Sequence, residues 1–87
     1  MASYRVEIKP SARKELERLP DKLISRIVKR LESLASNPRP RGCAKLKGGE
    51  NEWRIRVGDY RAVYAIDDKA LLVDVTRIRH RSEVYEP

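Results

Sequence analysis

The chain has one cysteine and one histidine, and these scarcities remove whole classes of chemistry. Cys43 has no second thiol with which to close an internal disulfide, and without a Cys/His cluster no metal site is expected. A Ser-His-Asp triad would have His80 as its one base, and nothing around it resembles a nucleophile elbow. Neither a phosphate-cradling Walker loop nor an H-E-x-x-H zinc motif is present, so conventional hydrolase chemistry is not expected. Long apolar runs are missing too. No segment approaches the roughly 20 apolar residues that cross a bilayer, and "MASYRVEIKP" lacks the continuous apolar stretch of a signal peptide. The expected location is the cytoplasm, with no membrane partner, which suits a small domain without disulfide staples.

Acidic residues are the remaining shortage. Thirteen Asp and Glu face twenty Lys and Arg, for a formal net charge of +7 and a pI near 9.9. Such an excess favours a polyanion as partner, nucleic acid above all; the alternative is a basic surface with no particular ligand. The excess is spread along the chain, with nine Lys or Arg against five Asp or Glu in residues 1–38 and eleven against eight in residues 39–87. A basic face must therefore be assembled by folding. Eighty-seven residues make one domain, residues 1–87, able to bury one modest core.

Periodicity supplies the elements. "SYRVEIKP" alternates Tyr4, Val6 and Ile8 with Arg5, Glu7 and Lys9, the period of a half-buried strand that Pro10 ends. Ser11 is the expected N-cap of a short helix through Leu19, with Ala12, Leu16 and Leu19 on one face. Pro20 breaks that helix and Asp21 is the expected cap of the next. Its apolar stripe of Leu23, Ile24, Ile27, Val28, Leu31, Leu34 and Ala35 is broad enough to cover a sheet. "SNPRPRG" stops it. "CAKLKG" reads as a short strand, Gly48-Gly49 as a loop, and Glu52 to Ile66 as a hairpin turning at Gly58-Asp59. "DDK" turns the chain once more before a strand over residues 70–78. The order β-α-α-β-β-β predicts an α+β domain, a mostly antiparallel twisted sheet of about four strands covered by two N-terminal helices.

Within the hairpin "EWRIRVGDYRAVY", Trp53, Ile55 and Val57 point to one face and Arg54 and Arg56 to the other. Arg61 on the return strand comes near them, because opposite residues of a hairpin lie roughly 5 Å apart at Cβ. Clustered guanidinium groups repel one another and stay protonated, so the cluster invites an anion, and phosphate matches the planar fork. The competing reading is a splayed, solvated set of arginines. The C-terminus "TRIRHRSEVYEP" adds Arg77, Arg79 and Arg81, His80 and Tyr85.

These segments together, "KLKG", "WRIR", "GDYRAVY" and "HRSEVY" in that order, resemble the RelE/ParE toxin superfamily of bacterial and archaeal toxin-antitoxin systems over nearly the whole chain. The terminal "HRSEVY" favours the RelE branch, whose members cleave mRNA on the ribosome, over the ParE branch, whose members target DNA gyrase. The resemblance implies cleavage without metal or other cofactor, by attack of the ribose 2′-OH on the adjacent phosphorus. It places Arg54 and Arg56 at the family's pair of strand cations, commonly lysines, and Arg61 at the arginine that binds the scissile phosphate. Arg79 aligns with the leaving-group arginine, with Arg81 near enough to exchange roles. Tyr85 aligns with the terminal tyrosine, as general base or stacking platform, and His80 is the competing base or an RNA contact. Lys45 and Lys47, with Arg39 and Arg41 before them, are expected to make phosphate contacts. The implied partners are the ribosome with its mRNA and a cognate antitoxin, an acidic segment folding onto the toxin in a hetero-oligomer. Two other functions stay open at this level: a gyrase inhibitor, and a basic nucleic-acid-binding module without catalysis.

Overall fold

The computed structural model describes residues 3–48 and 51–83. Its elements are β1 (Arg5–Ile8), α1 (Pro10–Glu17), α2 (Asp21–Glu32), β2 (Ala44–Lys45), β3 (Glu52–Val57), β4 (Tyr60–Asp67) and β5 (Leu72–His80). Short 3-10 turns follow α2 at Ser33–Ala35 and β5 at Arg81–Glu83.

Each helix begins at a proline boundary. The residue before Pro10 is held extended, with Lys9 at φ −62 and ψ 151, so the helix starts at the proline itself. Proline suits that first position because its missing N–H would have no helical partner. Pro20 precedes α2 in the same extended state, and its carbonyl accepts the Leu23 and Ile24 amides at 2.9 and 3.0 Å. Neither Ser11 nor Asp21 therefore serves as the cap expected from sequence, since the prolines fix the α1 boundary two residues earlier, at Lys9, and the α2 boundary one residue earlier, at Pro20.

Five strands form one sheet in the order β1-β5-β4-β3-β2. The fifth is the two-residue β2, where Ala44 pairs with Arg54 and Lys45 with Trp53. β1 lies parallel to β5, with Val6 opposite Val73 and Ile8 opposite Val75, while every other pairing is antiparallel. Alternation cannot report strand direction, which is why the parallel edge was not visible beforehand. α1 packs on β5 and α2 on β3.

Both helices cover one face of the sheet. Ala12, Leu16, Ile27, Leu31 and Leu34 meet Ile55, Val57, Ala62, Tyr64, Ile66, Val73, Val75 and Ile78 in one core. The Tyr64 ring is fully buried, and its hydroxyl donates to the Pro38 carbonyl at 2.8 Å. Burial pushes the Tyr64 phenol well above its ordinary value, so it stays neutral and keeps donating. That bond holds the segment between α2 and β2 against the sheet. The same segment is clamped outside by Arg39, which forks onto both Asp68 oxygens at 3.2 and 2.9 Å and lies 5.3 Å over the Trp53 ring. Tyr4 donates to Asp68 at 2.6 Å, tying β1 into the same corner.

Candidate anion-binding sheet face

The sheet register decides which residues share the face away from the helices. Arg56 stands opposite Arg61 and Arg54 opposite Val63, while Glu52 faces Ala65. A β-bulge then interrupts β5: Val63 pairs with Arg77 and Tyr64 with Val75, leaving Thr76 as the extra residue. A bulge re-aims side chains locally, and here it lets Val75 and Ile78 both enter the core across an otherwise broken alternation.

Arg61 is the centre of this surface. The residue is half-buried, and its Nε is buried with no acceptor among the described residues. Burial first, then the charges of Arg54, Arg56 and Arg81, hold its guanidinium below the ordinary arginine value. Arg81 reaches this neighbourhood because its amide donates to the Asp59 carbonyl at 2.7 Å, fastening the end of β5 to the β3–β4 turn. Four arginines thus converge where an anion would relieve both the repulsion and the unmet donor.

Arg79 is placed differently. Backbone register sets it opposite Arg61, yet its Nε pairs with Glu15 of α1, whose other carboxylate oxygen accepts the Ile78 amide at 2.9 Å. β1 pairs with β5 only as far as Val75, and Glu15 takes over the edge where that pairing stops. His80 shares its register position with Tyr60, on the face opposite the arginines. Its ring meets Tyr60 edge-on at 5.4 Å and 88°, and its Nδ1 lies 3.0 Å from Ser82 Oγ. Lys45 and Lys47 are exposed at β2 and in the loop after it. Arg39 is engaged by Asp68, and Arg41 is exposed. Tyr85 lies outside the described residues. Val63, on the same face between Arg54 and Arg77, is only 4% exposed.

Three features had no signal in periodicity or motif: the Glu15 bridge, the Asp68 clamp and a second basic groove. That groove, ≈ 510 Å³, lies between α2 and the β3–β4 turn and is lined by Arg26, Lys29, Arg30 and Arg56. Arg26 closes over Gly58, its guanidinium nitrogens 3.8 and 3.9 Å from where a Cβ would stand. Gly58 also has φ +60, a conformation that favours glycine.

Among the described residues no group of three or more His, Cys, Asp or Glu is arranged to hold a metal ion. Among the described residues no helix is long and apolar enough to cross a membrane.

Comparison with known proteins agrees with this geometry. The sequence pattern of the family described as "ParE toxin of type II toxin-antitoxin system, parDE" matches residues 6–85. The chain is 37% identical over 83 residues to a toxin RelE of Mycobacterium tuberculosis, covering 94% of this chain and 86% of that protein. Its fold superimposes with a TM-score of 0.81 on the toxin-antitoxin complex RelBE2 of Mycobacterium tuberculosis, at 30% identity over 94% of this chain and 95% of that one. The archaeal RelE-RelB complex of Pyrococcus horikoshii gives a TM-score of 0.83 at 29% identity, over 94% and 99% of the two chains. With its helix-covered five-stranded sheet, its arginine-bearing hairpin and these relatives, the chain belongs to the RelE/ParE superfamily of type II toxin-antitoxin toxins.

Proposed function

We propose that this toxin is a ribosome-dependent endoribonuclease that cuts mRNA and so arrests translation. The observation that supports the reading is Arg61: a half-buried cation with an unmet Nε donor, surrounded by Arg54, Arg56 and Arg81. A phosphodiester seated there gains donors that need no reorganisation as charge builds on its oxygens. The 2′-OH gives its proton to the base as its oxygen attacks phosphorus, the bond to the 5′-oxygen breaks and that oxygen takes a proton from water, and the products are a 2′,3′-cyclic phosphate and a 5′-hydroxyl. Arg54, Arg56 and Arg61 hold the phosphate and stabilise the phosphorane. Arg81 stands with them and is placed to offset charge on the leaving oxygen, whereas Arg79 must first leave Glu15 to take that part. An arginine acts here through its field, because its proton is held too tightly for easy donation. Tyr85, which the family resemblance aligns with the terminal tyrosine, is the proposed base, and a phenol brought among guanidinium groups would be favoured as phenolate. The groove of Arg26, Lys29 and Arg30 gives ribosomal RNA a second set of phosphate contacts.

The solved relatives seen with RelB antitoxins support an antitoxin partner for this chain as well. An acidic segment laid across the arginine face would neutralise the cluster and block RNA with the same contacts.

Primer extension on mRNA cut by the toxin on programmed ribosomes tests the reading. Wild type should give ribosome-dependent, codon-phased ends, with Arg61→Ala slower by roughly a hundredfold and Tyr85→Phe also impaired. Intact mRNA with folded wild-type protein would overturn it. One observation favours gyrase inhibition instead: Arg79 is committed to Glu15, away from the arginine cluster. In that case induction would break DNA while translation continued.

A further inference from the structure

Beside the arginine cluster, the same sheet face holds a cavity of ≈ 340 Å³ whose lining includes Leu46, Glu52, Val63, Thr76 and Arg77. Val63 forms an apolar floor, flanked across the sheet by Arg54 on β3 and Arg77 on β5. Leu46 is held at the rim by its amide, which donates to the Glu52 carbonyl at 2.9 Å. The β-bulge brings Thr76 to the cavity alongside Arg77, with the Thr76 hydroxyl donating to the Val63 carbonyl at 3.3 Å. The cavity is therefore built by three separate devices: a loop contact, a bulge and a buried floor.

Glu52 is the anomaly in it. A carboxylate on a surface that gathers phosphate-binding arginines repels phosphate. Were Glu52 there to offset Arg54 or Arg77, it would pair with one of them. Yet among the described residues no hydrogen bond or ion pair engages its carboxylate, although Lys47 and Arg77 both line the same cavity. Its two oxygens suit a neutral planar group that presents two adjacent N–H donors. The Watson–Crick edge of guanine does so, with N1–H beside the N2 amino group. Adenine and cytosine set a donor beside an acceptor there, and uracil has a single donor between acceptors. Unstacked RNA bases are commonly read on this edge while stacking on guanidinium planes, which Arg54 and Arg77 supply on either side of the floor.

We propose that this cavity receives the base of a nucleotide flanking the phosphate at Arg61, and that Glu52 selects guanine there. The inference rests on the ribonuclease reading for its substrate class. A basic side chain from a protein partner is the competing occupant of the carboxylate.

The test is a methyl NMR titration of the full chain with guanosine 3′,5′-bisphosphate and, separately, adenosine 3′,5′-bisphosphate at matched ionic strength. Both carry the same phosphates, so the arginine cluster contributes equally and the difference reports the base. Guanosine bisphosphate should shift the Val63 and Thr76 methyls and bind about tenfold more tightly than the adenosine compound. Glu52→Gln, nearly isosteric, should erase or invert that preference, because its amide presents one acceptor and one donor. Glu52→Asp, which withdraws both oxygens, should weaken the preference without inverting it. Equal affinities in the wild type, no binding of either compound, or a guanine preference that survives in Glu52→Gln would each overturn the proposal. The ribosome assay separates the two ideas: absent cleavage with an intact guanine preference sinks the ribonuclease reading alone, and cleavage with no preference sinks this one alone.

Discussion

At the scale of single residues, placement in a strand proved easier to read than partnership. Arg54, Arg56 and Arg61 converge because a two-residue turn and strict alternation leave the hairpin one register, and both signals are local. Arg79 follows the same alternation but is captured by Glu15, a residue 64 positions earlier, and nothing in either segment announces the other. Asp68 is a similar case, gathered by Arg39 and Tyr4 from distant segments. The hydrogen bond from Arg39 first, then that from Tyr4, holds its carboxyl below the ordinary value. A carboxyl depressed by folding stabilises the fold above its unfolded pKa, and the contribution disappears as pH falls through the folded value. The Tm gap between wild type and Asp68→Asn should therefore stay constant above about pH 5 and close as the pH drops below about 4. A gap that widened in acid would contradict this corner's geometry.

At the scale of elements, the β5 strand carries the most varied duties. Its first half is paired on both sides, by β1 and β4, and its second half by β4 alone. Glu15 substitutes for the missing strand by accepting the Ile78 amide. Replacing Glu15 with Ala should leave that half-buried amide unmet and cost about 1–3 kcal/mol, measurable by urea denaturation. Amide exchange at Ile78 should quicken while Val73 and Val75, in the doubly paired half, keep their protection. Unchanged exchange at Ile78 would show that water already satisfies it. Glu15→Gln, which keeps an acceptor but loses the charge, should recover much of the stability and separate the hydrogen bond from the Arg79 ion pair.

For the whole molecule, the distribution of charge matters more than its sum. The protein measures 34 × 30 × 25 Å, whereas charges are screened beyond about 8 Å at physiological ionic strength. Opposite faces hardly feel each other, so the local crowding of Arg54, Arg56, Arg61 and Arg81 sets the electrostatics of the site. Folding pays for that crowding in stability, and a bound anion returns it. Inorganic phosphate at ten times its Kd, with ionic strength held by chloride, should stabilise the fold by about 1.4 kcal/mol, or about 5–10 °C in Tm. Arg61→Gln should melt above the wild type in chloride and lose most of the response to phosphate. An equal response in both proteins would place the anion elsewhere, the Arg26–Lys29–Arg30 groove being the alternative.

The sequence by itself determined the helices, the hairpin and its arginine side, because periodicity, prolines and a glycine turn act over a few residues. It also carried the family, since the ordered segments from "KLKG" to "HRSEVY" survive as linear text. Tertiary structure alone decided that β1 runs parallel beside β5, that Arg81 rather than Arg79 joins the cluster, and that His80 faces Tyr60. It likewise created the cavity at Glu52, through a bulge that shifts register by one residue between Val63 and Tyr64. These outcomes depend on which distant segments meet, and pairing energy between remote residues leaves no mark on the spacing within either one.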